Sequence, residues 1–229
     1  MRHWLMALAL LVALSALQPA AAAPFTLRLG TDRIVLDAPP GFTDTTELAS
    51  PRLQELAETL TSASNRILLF ALTDADLRRF MIGDPIEARR YGIAVTPKVM
   101  ERDRVSPEAF TAFVSDAMRE LGKPVGETDV LKFLDQQPRG KGSLIAELKK
   151  ETAVVSVLQG ARLPEAPRAG FWSAEKPPQY HFWTTTILLL RGKLLRLDVF
   201  TGFDGTADMD WLRGITERWI GDLQRLNSR

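Results

Sequence analysis

YHFWTTTILLLRGKLLRLDVFTGFDGTADMDWLRGITERWIGDLQRL, residues 180–226, decides the fold. Tyr180 to Ile187 is aromatic and β-branched, and Leu188, Leu189 and Leu190 continue the run up to Arg191-Gly192-Lys193. Leu194 to Phe200 alternates, with Leu195, Leu197 and Val199 on one face and Arg196 and Asp198 on the other. Two such runs about a short Gly-containing turn predict a β-hairpin. The unbroken leucines place the end of the first strand between two packed layers. Thr201 to Gly205 is a loop by composition. From about Thr206, Leu212, Ile215, Trp219, Leu223 and Leu226 recur at spacings of three and four, widened by Trp211 and Ile220. That stripe predicts an amphipathic helix laid on the hairpin sheet. Asp208 and Asp210 in its first turn complement the helix dipole.

Working outward, Phe25-Leu27-Leu29, a Gly30-Thr31-Asp32 turn and Arg33 to Leu36 predict an N-terminal hairpin. Pro39-Pro40-Gly41-Phe42 leads into a polar connection. Ser50-Pro51 and Ser106-Pro107 are cap-and-proline starts for helices at 51–61 and 107–121. Ile67 to Leu72 is an uninterrupted apolar run of the length of a central strand. Thr73 to Met81 and Glu127 to Gln137 read as short helices. Arg90 to Thr96 reads as a strand, with Pro97 placing its end at a sheet edge. Ala153 to Gln159 is a further strand, whereas 142–151 fits helix and strand equally. The fold class expected is α+β, a mainly antiparallel sheet packed by two to three amphipathic helices in one domain, 23–229.

Residues 1–22 have the form of a secretory signal peptide: Arg2, an apolar run from Trp4 to Leu17, and small residues Ala20 to Ala23 for cleavage. The apolar run, about 14 residues, is short of the roughly 20 that span a bilayer. Cleavage after Ala22 is favoured, because Pro24 would hinder a cut just before it. The expected location is periplasmic or secreted, with no stable membrane insertion after cleavage. Loss of Arg2 with the leader leaves basic and acidic residues in balance, which argues against an electrostatic nucleic-acid binder. The chain has no cysteine and two histidines, His3 in the leader and His181. Zinc and redox-metal sites are disfavoured by that composition.

No catalytic constellation emerges. His181 stands alone, without a Gly-x-Ser-x-Gly elbow. Ser173-Ala174-Glu175-Lys176 matches Ser-x-x-Lys, but no Lys-Thr-Gly accompanies it. Asp204, Asp208 and Asp210 do not fit a calcium loop, since Gly205 follows the first aspartate directly; capping accounts for them. The pairs Arg78-Arg79 and Arg89-Arg90, with Arg102 and Arg104, are interleaved with acids and read as a mixed surface. The stretch of greatest functional interest is Leu163 to Gln179. It is long, Pro-rich and without periodicity, and it carries Phe171 and Trp172 next to Tyr180, His181 and Trp183. Those five aromatics are the candidate ligand or partner site, either as a lid over a pocket or as ordinary packing against the sheet. No metal ligand and no cofactor is assigned.

The opening hairpin, Pro39-Pro40-Gly41-Phe42 before a Thr-rich turn, the strand at 67–72 and the closing hairpin and helix together resemble the PsbP-like α+β sandwich. That group includes extrinsic photosystem II subunits, a nuclear Ran-binding factor and small exported bacterial proteins. The 97–151 region departs from its outline. The resemblance implies a non-catalytic binding or assembly-accessory role with an envelope partner. No residue-level role carries over from it. The alternative expectation is a small-molecule binder, or a hydrolase without a recognisable motif, using residues 163–183.

Overall fold

The computed structural model describes residues 23–84, 88–125, 129–164 and 179–228. In chain order its strands are β1 (Phe25–Leu29), β2 (Asp32–Leu36), β3 (Phe42–Asp44), β4 (Asn65–Thr73), β5 (Arg90–Pro97), β6 (Ser143–Glu151), β7 (Val154–Arg162), β8 (Tyr180–Leu190) and β9 (Lys193–Gly202). Its helices are α1 (Pro51–Thr59), α2 (Asp74–Met81), α3 (Pro107–Leu121), α4 (Val130–Gln136) and α5 (Thr206–Asn227). Residues 1–22, which the sequence reading expects to be a signal peptide, lie outside the described residues.

Seven strands form one antiparallel sheet in the order β3-β4-β5-β9-β8-β7-β6, and β1 and β2 form a separate hairpin. The fold is α+β, as the periodicities predict. The β8–β9 hairpin is the middle of the sheet, paired from His181↔Gly202 to Leu190↔Lys193. Arg191 and Gly192 make its two-residue turn with φ of 52° and 80°. A turn with both central residues left-handed matches the twist of the flanking strands, which is why glycine serves there.

Period-2 alternation sorts the side chains onto two faces. On the first face, Leu195, Leu197 and Val199 of β9 and Phe182 and Leu188 of β8 meet Leu212, Ile215, Trp219 and Leu223 of α5 in one continuous core. The β1–β2 hairpin closes that layer through Leu29, Ile34 and Leu36. Two polar ties hold α5 to the chain after β1. Trp219 Nε1 donates to the Asp37 carbonyl (2.8 Å). Asn227, one residue beyond the predicted end of the stripe, takes the Val35 N–H (2.9 Å) and donates to the Val35 carbonyl (2.8 Å). Thr184 shares a hydroxyl bond with Thr216 of α5 (2.6 Å), so the mid-strand threonine is satisfied where it is buried.

The second face carries two clusters. α1 covers Phe70, Leu72, Tyr91, Ile93 and Val95 with Leu53 and Ala57. α3 covers Val155, Ile187 and Leu194 with Phe110 and Val114. Leu189 therefore packs under α3 while Leu188 and Leu190 face the other way, as the leucine run implies.

Four elements differ from the sequence reading. Phe42 to Asp44 is a short strand, paired to Thr73–Ala71, and not merely a polar connection. Residues 143–151 are a strand; bulges between Leu144 and Ala146 and between Glu147 and Lys149 break its alternation, which is why the pattern was ambiguous. β7 runs on past Gln159 through Gly160, where a Cβ would meet the Phe182 ring at 2.7 Å. β5 lies inside the sheet; Pro97 sits beyond its last pair with β9, Val95↔Arg196, where a missing N–H breaks no ladder on that side.

Candidate functional site

Alternation along β8 divides the aromatic set. His181 and Trp183 stand on the second face, with Thr185 and Ile187, whereas Tyr180 and Phe182 stand on the first. Tyr180 is bound to the sheet end: its hydroxyl donates to Asp135 Oδ1 (2.8 Å) and its ring meets Phe203 edge-on at 6.2 Å. Burial, then the bond to Asp135, raises its pKa. Phe171 and Trp172 lie outside the described residues, as does Ser173-x-x-Lys176.

The register brings partners to His181 and Trp183 that sequence distance hides. Phe200 lies opposite Trp183 across β8–β9, and Tyr91 lies opposite Phe200 across β5–β9. The rings form a continuous cluster. Tyr91 stacks on Phe200 at 4.4 Å, Trp183 and Phe200 lie nearly parallel at 6.1 Å, and His181 sits 5.5 Å from Phe200 and 6.4 Å from both Trp183 and Tyr91. Burial lowers the His181 pKa, so the ring is neutral near pH 7. Its ring contacts are Tyr91, Trp183 and Phe200.

One row further along the same face lies a polar track. Thr185 is opposite Asp198, and Gln159 is opposite Trp183. Gln159 Nε2 donates to Thr185 Oγ1 (2.9 Å), and Arg196 Nε donates to Asp198 Oδ2 (2.8 Å). The Asp198 side chain is 4% exposed while Arg196 keeps 38% exposure. Burial pushes the Asp198 carboxyl up, against the opposing pull of Arg196 and Thr185. Its second oxygen, Oδ1, has no hydrogen-bond partner within ordinary distance among the described residues, and the Thr185 hydroxyl, opposite it across β8–β9, is the side-chain donor that acts on the carboxyl beside Arg196. The charge also acts on Tyr91, whose phenol is raised by burial and then by repulsion from Asp198. A desolvated carboxylate oxygen with a free lone pair is costly unless something donates to it. The sequence places Arg196 and Asp198 on the face of β9 opposite Leu195, Leu197 and Val199, and it does not show that this face too is covered.

The other candidates resolve into structural pairs. Asp208 accepts from the Asp204 and Gly205 N–H groups (2.8 and 3.2 Å) and from Arg90 Nη2 (2.7 Å). Arg90 also lies over the Trp211 ring at 4.1 Å, fastening β5 to the start of α5. Asp204 pairs with Arg89 (2.5 Å) and Asp210 with Arg213 (3.7 Å). Arg104 reaches Asp32 at 3.3 Å. Lys193, read from the sequence only as part of the turn, is almost fully buried. Its ammonium donates to the carbonyls of Asp103 (2.8 Å), Arg102 (3.1 Å) and Glu101 (3.4 Å), with Asp32 at 3.5 Å. It holds the 101–103 loop and the N-terminal hairpin to the sheet.

The fold and site thus define an α+β protein whose antiparallel sheet has helices on both faces. No helix among the described residues is long and apolar enough to cross a membrane. No protein-family model matches the chain, and no curated protein matches it. Among solved structures, the Ran-binding protein Mog1p of Saccharomyces cerevisiae is similar at 12% identity and a TM-score of 0.35, over 91% of this chain and 94% of that one. A Mog1 mutant is similar at 12% identity and a TM-score of 0.36, over 90% and 94%. At these scores the likeness carries no weight for fold detail or function.

Proposed function

We propose that the protein is an exported, non-catalytic binding or assembly-accessory module of the bacterial envelope, of the PsbP-like kind, in the periplasm or secreted. Its binding strip is the aromatic and polar track of the second face: His181, Trp183, Phe200 and Tyr91 beside Arg196 and Asp198. The observation that carries this reading is the half-buried ring cluster of His181, Trp183 and Phe200 beside the half-exposed Arg196 and the buried Asp198 carboxyl. A partner or ligand that lays a flat or apolar group on the rings and offers an acceptor to the half-exposed Arg196 would fit the strip. The aromatic surroundings of His181 favour binding over hydrolysis.

The test is native mass spectrometry of the protein recovered from an exporting host, as wild type and as Trp183→Ala and Asp198→Asn. The expected result is a chain lacking residues 1–22 that carries an added mass or a co-purifying envelope protein, reduced in both variants. A turnover activity abolished by His181→Ala would overturn the non-catalytic reading. An adduct unaffected by both strip variants would place binding elsewhere. A mass that retains residues 1–22 would overturn cleavage.

A further inference from the structure

The strand order leaves β4 half covered. β3 lies opposite Ala71 to Thr73 and no further. Thr45 then donates both its N–H and its hydroxyl to the Phe70 carbonyl (2.8 Å each), and the chain turns away through a short 3₁₀ turn at Thr46–Leu48. Asn65 to Leu69 therefore have β5 on one side and, among the described residues, no strand on the other. Where β3 would have continued there is instead a hollow of about 650 Å³ between the β4 edge and α1. Leu53, Ala57, Ile67 and Phe70 give it an apolar floor, and Gln54, Glu58 and Lys98 stand at its rim.

Two further observations mark this edge. The large apolar side chains left exposed among the described residues are Leu48 (40%), Met81 (68%), Ile82 (76%) and Val99 (85%). Leu48 precedes Ala49 and Val99 follows Lys98, both lining the hollow, while Met81 and Ile82 line a second hollow that reaches Thr43 of β3. Met81 and Ile82 thus line the β3 end of this edge, and Leu48 and Val99 adjoin in sequence residues that line its hollow. The opposite edge is guarded by charge: β6 carries Glu147, Lys149, Lys150 and Glu151 beside its two bulges, whereas β4 has one bulge, between Ile67 and Leu69, and Arg66 as its charged residue in that stretch. Charge and bulging are the ordinary means of keeping an edge strand from pairing.

We propose that the β4 edge takes an extended peptide segment of a partner protein as an added strand. An apolar side chain of the segment lies on the Leu53–Phe70 floor, and an acidic group lies toward Lys98. The Asn65 N–H is already taken by the Ser62 carbonyl (2.9 Å) and a bulge lies between Ile67 and Leu69, so the backbone open to pairing is centred on Ile67, and another extended backbone is its fitting ligand. Asn65 to Leu69 span about 17 Å at strand rise, room for a short segment. The hollow is bounded by the 45–50 segment and α1, a shape that suits a single extended segment, and pairing with a second copy is distinguished by the test below. The charge preference follows from the rim. Arg66 is matched by Glu101, but the Lys98 ammonium donates only to the Ala63 carbonyl (2.8 Å) and has no carboxylate partner among the described residues. The proposal stands apart from the strip on β8 and β9, and neither reading depends on the other.

The probe is a phage-displayed library of linear peptides of about twelve residues, long enough to exceed the span of the edge, panned on the protein recovered from an exporting host. Selected peptides are then synthesised and measured by fluorescence anisotropy and amide hydrogen exchange. The expected result is enrichment of sequences pairing an apolar residue with Asp or Glu, and slowed exchange across Asn65–Leu69 on binding. Gln54→Trp, a change at an exposed rim position, fills the hollow and weakens binding about tenfold, equivalent to roughly 1.4 kcal/mol. Lys98→Glu weakens acidic peptides about threefold, the scale of one exposed ion pair. Trp183→Ala leaves this binding unchanged, which separates the groove from the strip. Absence of enrichment, protection confined to other segments, or a concentration-dependent dimer that protects the same amides would each overturn the proposal.

Discussion

The two faces of the sheet are built on different plans. The first is a single apolar core in which α5, the N-terminal hairpin and the inward residues of β8 and β9 meet, and its polar groups are tied off by Asn227, Thr184–Thr216 and the Trp219–Asp37 bond. The second is split into an α1 cluster and an α3 cluster, and it carries a buried acid and a ring cluster around the lone described histidine. A continuous layer with its buried hydroxyl, amide and indole groups bonded in this way supplies stability. An interrupted layer that keeps a desolvated polar atom retains something that packing alone would have removed. Placing function on the second face follows from that difference.

The comparison can be broken at several points, and the largest effects belong to the first face. Trp219→Ala removes a fully buried ring and its bond to Asp37, and a loss of about 5 kcal/mol is expected in urea unfolding. Phe110→Ala in the α3 cluster is expected to cost about 3 kcal/mol, because partly exposed neighbours such as Phe113 and Met118 can relax into the gap. Equal losses would mean that the faces are equivalent. Lys193→Met should cost about 3 kcal/mol, since it leaves loop carbonyls and Asp32 without their cation. A near-neutral result would show that water replaces the ammonium.

Smaller effects sharpen the account of the second face. The folded pKa of Asp198 lies above its ordinary 3.8, so the native state binds its proton more readily than the unfolded chain. Wild type should therefore gain stability relative to Asp198→Asn as pH falls from neutrality through that raised value toward 3.8. A difference independent of pH would remove the desolvated carboxylate from the argument. His181 works with the opposite sign. Its folded pKa is below the ordinary 6.5, so stability is full above 6.5 and declines as the unfolded chain takes up the proton first. His181→Gln should flatten melting temperature against pH in that window, by less than the Asp198 effect, because the ring is only partly enclosed. An unchanged slope would mean that the ring is solvated.

Much of the fold could be read from periodicity. The closing hairpin, α5, α1, α3 and the N-terminal hairpin rest on local spacing and turn chemistry, which neighbouring residues carry within a few positions. β3 was missed because three residues are too few to show a period. β6 was ambiguous because its two bulges shift the alternation. The candidate site was legible only in part. His181 and Trp183 stand together as aromatics in sequence, but Tyr180 belongs to the other face by simple alternation. Tyr91 and Phe200 join the cluster only through the register of β5, β9 and β8.

Composition and local pattern established an α+β chain with a leader-like N-terminus, balanced charge and no cysteine chemistry, because those properties need no knowledge of which residues meet. Three features came only from assembly: the burial of Asp198, the carbonyl cage around Lys193 and the open half of β4. Each depends on residues far apart in sequence, and on a second helical layer whose placement no local period encodes. A strand's alternation says which side chains share a face, but what covers that face is settled only when the whole chain has packed.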